Sequence, residues 1–103
     1  MSPSDPRSSP VEVASFAYVV GIDIGSQSVV YCVCQPDKRQ VVKPTELANS
    51  RAGFEALERR LRQLGVPPER LLIGVEATGR YSENLYQFLH EQGYGLCLLH
   101  PRQ

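Results

Sequence analysis

Two apolar runs in this chain end in the same way. Tyr18-Val19-Val20-Gly21-Ile22-Asp23-Ile24 carries an aspartate two residues after a glycine, and Leu71-Leu72-Ile73-Gly74-Val75-Glu76 carries a glutamate two residues after a glycine. Short, near-continuous apolar runs of this kind suit buried strands, and the second suits a central parallel strand covered on both faces. A carboxylate at the end of such a run is costly unless something uses it. The matched placement predicts neighbouring strands whose ends bring Asp23 and Glu76 together.

The segments between and around these runs define the architecture. After Tyr18–Ile24, the turn Gly25-Ser26-Gln27-Ser28 leads to a second strand, Val29–Cys34, rich in β-branched and aromatic residues. Pro36-Asp37 marks another turn, and Gln40–Glu46 is a third strand that Pro44 and Lys43 assign to a sheet edge. The period then changes: Phe54, Leu57, Leu61 and Leu64 recur at helical spacing, with Asn49 or Ser50 as cap and Gly65 with Pro67-Pro68 as stop. The strand Leu71–Glu76 follows, then a helix over Tyr81–Gln92 with Gly93 as its C-cap, then a strand over Gly95–His100. The order βββαβαβ predicts a mixed α/β sheet ordered 3-2-1-4-5, the ribonuclease H-like architecture. Right-handed crossovers put both helices on one face. Alternation puts Gly21, Asp23, Gly74 and Glu76 on the other, uncovered face, where the two glycines admit a close approach by another backbone.

With 103 residues the chain holds one domain. Residues 1–16 are expected to lie outside it as a disordered tail, because Pro3, Pro6, Pro10 and five serines offer too little apolar surface to offset the ordering entropy. Residues 17–103 form the domain. The start lacks the apolar core of a signal peptide, and no apolar run approaches the roughly 20 residues of a membrane helix, so a soluble, cytoplasmic protein is expected. Lys plus Arg and Asp plus Glu number 11 each, so net charge makes no case for nucleic acid and any such surface must be local. The densest basic cluster is Arg51, Arg59, Arg60 and Arg62 on the first helix, where Glu55–Arg59 and Glu58–Arg62 also read as i,i+4 pairs on a solvated face. Cys32, Cys34 and Cys97 are odd in number and lack metal-site spacing, which predicts buried core thiols. Cys32 and Cys34 share one strand face.

Asp23 and Glu76 on parallel neighbours would lie about 4.8 Å apart at the backbone. Carboxylates that close repel unless a cation lies between them. Mg²⁺ or Mn²⁺ suits such oxygen ligands and keeps open positions for water and phosphate. Two ions would serve phosphodiester chemistry, but that needs more carboxylates, and no convincing third is present. The alternative is that both acids cap turns or the second helix.

Four motifs in order, Val20-Gly21-Ile22-Asp23-Ile24-Gly25-Ser26, Asn49-Ser50-x-x-Gly53-Phe54, Glu76-Ala77-Thr78-Gly79-x-Tyr81 and His100-Pro101-Arg102-Gln103, resemble the N-terminal RuvC-like domain of the DEDD insertion-sequence transposases. The resemblance covers Val19 to Gln103 and departs from the family at His100, where Asn is usual. It implies that Asp23 and Glu76 are catalytic, metal-binding members of an acidic tetrad, with Gly21, Gly25, Gly74, Thr78, Gly79 and Tyr81 as substrate or structural motif positions. It implies Mg²⁺ or Mn²⁺, DNA and a structured guide RNA as cofactors and partners of the full-length parent. Arg51, Arg59, Arg60, Arg62, Arg80 and Arg102 are the candidate nucleic-acid contacts. The remaining two aspartates of the tetrad, in a helical segment after Pro-Arg-Gln, and a second domain with a serine nucleophile are expected beyond Gln103, so this stretch alone is expected to be inactive and to pair with a second copy through its uncovered face. A second resemblance is to the opening of sugar kinases of the actin-like fold, at Val19–Val29; these lack Glu-Ala-Thr-Gly and Pro-Arg-Gln. A non-catalytic module that associates with a transposase is a third reading.

Overall fold

The computed structural model describes residues 15–77 and 83–99. Thr78, Gly79, Arg80, Tyr81, Arg102 and most of the expected tail therefore lie outside the described residues. Five strands form one sheet in the order β3-β2-β1-β4-β5: β1 Tyr18–Ile24, β2 Ser28–Cys34, β3 Gln40–Ala48, β4 Leu71–Ala77 and β5 Leu96–Leu99. Helix α1, Arg51–Arg62, connects β3 to β4, and helix α2, Glu83–Glu91, lies between β4 and β5. This is the ribonuclease H-like arrangement. β1 pairs antiparallel with β2 and parallel with β4, β2 pairs antiparallel with β3, and β4 pairs parallel with β5. Only β2 opposes the common direction, so β1, β3, β4 and β5 end at the same edge of the sheet.

One sheet face is covered. Val20, Ile22, Ile73 and Val75 point to it and pack under Leu57, Leu61, Leu85 and Leu89 in a single core. Burying each such side chain contributes about 1.5–3 kcal/mol. The helices meet over the sheet through Phe54 and Phe88, with ring centroids 5.8 Å apart. Ser50, not Asn49, caps α1: its Oγ accepts from the Gly53 amide at 3.2 Å. A tie closes the other end of the domain, where the Tyr94 hydroxyl donates to Glu58 Oε2 at 3.1 Å and Arg62 Nε donates to the same oxygen at 2.6 Å. Burial, then the charge and hydrogen bond of Glu58, push the Tyr94 phenol up to about 12.

Three expectations need correction. β3 extends to Ala48, two residues beyond the expected Glu46, because Leu47 and Ala48 pair with Val29 and Ser28 of β2, while Pro44 is accommodated on this edge strand where a register shift sets Lys43 and Pro44 opposite the single residue Cys32. Glu55 pairs with Arg51 at 3.3 Å, one turn N-terminal to it, instead of Arg59, while Glu58–Arg62 forms as expected. The cysteines are not in the core. Val29, Tyr31 and Val33 take the helix-covered face, so alternation sends Cys32 and Cys34 to the other face, uncovered among the described residues, where both are half-buried, and Cys97 is exposed.

Candidate functional site

The carboxylate pair is built by strand register. β1 and β4 align Gly21 with Gly74 and Asp23 with Glu76, in parallel and residue for residue. Both acids are exposed on the uncovered face, at the edge where the parallel strands end. In open sheets of this kind, ligands bind outside the carboxyl ends of the strands. Val30 flanks Asp23 on β2, and Leu99 is the register partner of Glu76 on β5.

Behind the acids lies a shallow groove of about 230 Å³, lined by Gly21, Asp23, Val30, Cys32, Gly74 and Glu76, with Pro44 at its edge. The two glycines form its floor. A Cβ placed on Gly21 would meet only Cys32 Sγ, at 3.6 Å, an ordinary contact. The chain's own described packing therefore does not require glycine there.

Gly25 sits in the turn that follows Asp23. Its amide donates to the Ser28 carbonyl at 2.9 Å, and its carbonyl accepts from Asn49 Nδ2 at 2.7 Å. The Asn49 amide also donates to the Gln27 carbonyl at 3.0 Å. Asn49 thus ties the β3–α1 junction to the turn beside Asp23. The sequence marks this residue as a possible helix cap and as the start of the Asn49-Ser50-x-x-Gly53-Phe54 motif, but its clamp across the sheet end is legible only in the fold.

Among the described residues, the candidate arginines are not gathered at the carboxylates. α1 returns from the end of β3 to the start of β4, so it begins at the carboxylate edge and ends at the opposite one. Arg51 is at the near end, its guanidinium 4.9 Å from the Phe88 ring centroid and paired with Glu55. Arg59, Arg60 and Arg62 are in the last turn, at the far edge, and Arg60 and Arg62 bond to Gln63 and Glu58.

Two oxygen ligands on adjacent strands fit one side of a hard divalent cation. Among the described residues no group of three or more His, Cys, Asp and Glu side chains is placed to hold a metal ion. Nor is any helix among them long and apolar enough to cross a membrane.

Comparison with known proteins gives a family match over residues 20–103, to the DEDD transposases of the IS110 type, described as a transposase. No curated protein matches the chain. Among solved structures, it is similar to the type II variant of the Aquifex aeolicus Ppx/GppA phosphatase, at 19% identity over 85% of this chain and 37% of that one, with a TM-score of 0.48. A second structure of the Aquifex aeolicus Ppx/GppA family member gives 17% identity over 82% and 35%, with a TM-score of 0.44. The chain spans little more than a third of the length of these structures.

Proposed function

The chain belongs to the IS110-type DEDD transposases, and from that premise we propose that it carries half of a metal-dependent DNA-cutting centre, with Asp23 and Glu76 as two of its acidic ligands. The observation that supports this most directly is the register pairing of these two residues at one strand edge, inside the matched span. Asp23 and Glu76 would hold Mg²⁺ or Mn²⁺, which when bound offsets charge on a phosphodiester and lowers the pKa of a coordinated water. The side chains of this chain position that cation: the parallel register fixes the spacing of the carboxylates, and Asn49 holds the turn after Asp23. The Gly21–Gly74 floor gives room for a covering element to approach behind the acids.

DNA is the substrate in this reading, with a structured RNA as guide in the whole transposase. Arg51, at the carboxylate edge, is a better placed contact for the DNA backbone than Arg59, Arg60 or Arg62. Residues 17–103 act as the domain, preceded by a tail. With two acidic ligands in place, the chain alone binds metal weakly and does not cut DNA. Its uncovered face, carrying Val19, Leu72 and the groove, pairs with a second copy in solution.

Paramagnetic Mn²⁺ titration followed by amide NMR tests the centre. Broadening confined to the Asp23 and Glu76 strand ends, and lost in Asp23→Ala, is expected at high micromolar to millimolar Mn²⁺. Broadening centred elsewhere, or tight stoichiometric binding, would overturn the assignment. Nicking of DNA by the isolated chain that disappears in Glu76→Ala would refute its inactivity. Sedimentation at micromolar concentration tests pairing, and a clean monomer argues against it.

A further inference from the structure

Cys32 and Cys34 occupy alternate positions of β2, so both side chains leave the uncovered face. Their Cα atoms are about 6.6 Å apart at two strand rises. Parallel Cβ vectors at that spacing lie beyond the roughly 3.5–4.5 Å that a disulfide requires. Rotation about the two Cα–Cβ bonds can nevertheless swing the sulfurs toward each other across the shared face, and burial first, then Cys32, raise the Cys34 thiol. This strand thus presents two sulfurs side by side that resist joining to each other and are half open to solvent.

We propose that Cys32 and Cys34 form a two-sulfur site for a soft monovalent cation, with Cu(I) as its representative. The choice of ion follows from the ligand count. Thiolates select soft ions such as Cu(I) and zinc. Structural zinc needs four ligands, and no third Cys, His, Asp or Glu joins this pair among the described residues. Cys97 cannot serve: its register partner is Gly74, which pairs with Gly21, which pairs with Cys32. Three strand spacings separate the two cysteines, roughly 14 Å at about 4.8 Å each. Binding converts two thiols and one Cu⁺ into a bis-thiolate complex of charge −1, with two protons released to solvent and no change of oxidation state. Because Cys32 Sγ lies against Gly21 in the groove wall, the bound ion sits beside the carboxylate groove, at a site chemically distinct from it: sulfur ligands for a soft cation, oxygen ligands for a hard one.

The test is an anaerobic Cu(I) titration of the reduced 103-residue chain against a chromophoric Cu(I) chelator, at submicromolar chain to keep copies apart. One equivalent withheld from the chelator is expected, with at least a tenfold loss of affinity in Cys32→Ser and in Cys34→Ser and no change in Cys97→Ser. Circular dichroism shows whether each variant is folded. Should Cys32→Ser not fold, Cys34→Ser alone decides, since its side chain lies at the sheet end away from the groove. Equal affinity in wild type and Cys34→Ser overturns the proposal. So does loss of binding in Cys97→Ser, or saturation at half an equivalent, which would mean that the ion bridges two chains.

Discussion

Replacing Gly53 by alanine should destabilise this domain, although the same change in most helices does the opposite. Alanine is favoured over glycine in a helix interior by about 1 kcal/mol. At Gly53 an added Cβ would lie 1.9 Å from the Ala48 carbonyl oxygen and 2.9 Å from its carbonyl carbon. Both are backbone atoms at the end of β3, so no flexible side chain can move aside. The first turn of α1 must shift, at an overpacking cost of about 1–3 kcal/mol. That shift also breaks the Ser50 cap on the Gly53 amide, worth about 1 kcal/mol. With the helix gain subtracted, the net loss is about 1–3 kcal/mol. For a domain of this size each kilocalorie lowers Tm by about 4–8 °C. Urea and thermal unfolding followed by circular dichroism measure it, with Ser50→Ala as the reference for the cap alone. In amide NMR, Gln27 and Gly25 should shift in Gly53→Ala, because Asn49 is pulled from the turn it holds. A Gly53→Ala protein as stable as wild type, or more stable, would refute the close packing of α1 on β3.

Tyr94→Phe should remove an alkaline component of stability. A phenol held at about 12 in the fold and near 10 when unfolded contributes stability that is whole below pH 10 and lost as pH rises toward 12, so wild type should lose stability faster than Tyr94→Phe over that window in pH-dependent urea melts. Asp23→Ala and Glu76→Ala, at exposed positions, should change unfolding free energy by no more than about 0.5 kcal/mol while abolishing strand transfer by a whole transposase. Gly21→Ala should leave stability unchanged or raise it by about 0.5–1 kcal/mol, and should weaken any self-association measured by sedimentation, because the groove floor gains a methyl group.

Much of this fold is readable from alternation alone. The placement of Val20, Ile22, Ile73 and Val75 against the helices, and of Asp23 and Glu76 away from them, follows from period two on β1 and β4 once the strands are neighbours. What alternation does not contain is contact between elements. The link from Tyr94 to Glu58 joins residues far apart in sequence, and nothing in either neighbourhood signals it. The choice of Arg51 over Arg59 by Glu55 is a contest between two nearly equal i±4 partners, decided in favour of an arginine whose guanidinium is already stacked on Phe88. The expectation of buried cysteines fails because, although small apolar residues are usually buried, here one face of the sheet has no cover among the described residues. The extension of β3 from Glu46 to Ala48 depends on its pairing with Ser28 and Val29, and the bulge at Lys43 and Pro44 is likewise a property of the pair of strands and not of β3 itself.

The parallel pairing of β1 with β4 has a kinetic consequence. Asp23 emerges in the first hairpin, whose contacts are local, but its partner Glu76 joins it only after β3, α1 and the whole crossover have been made and closed. Closing that loop costs entropy before the non-local contacts return it, so pairing of this kind comes slowly. A nascent chain can therefore form its antiparallel meander early while its two carboxylates are still apart, and the site comes into being only when β4 inserts beside β1. Mutations in the α1 core, such as those at Leu57 or Leu61, would thus delay assembly of a site they do not touch.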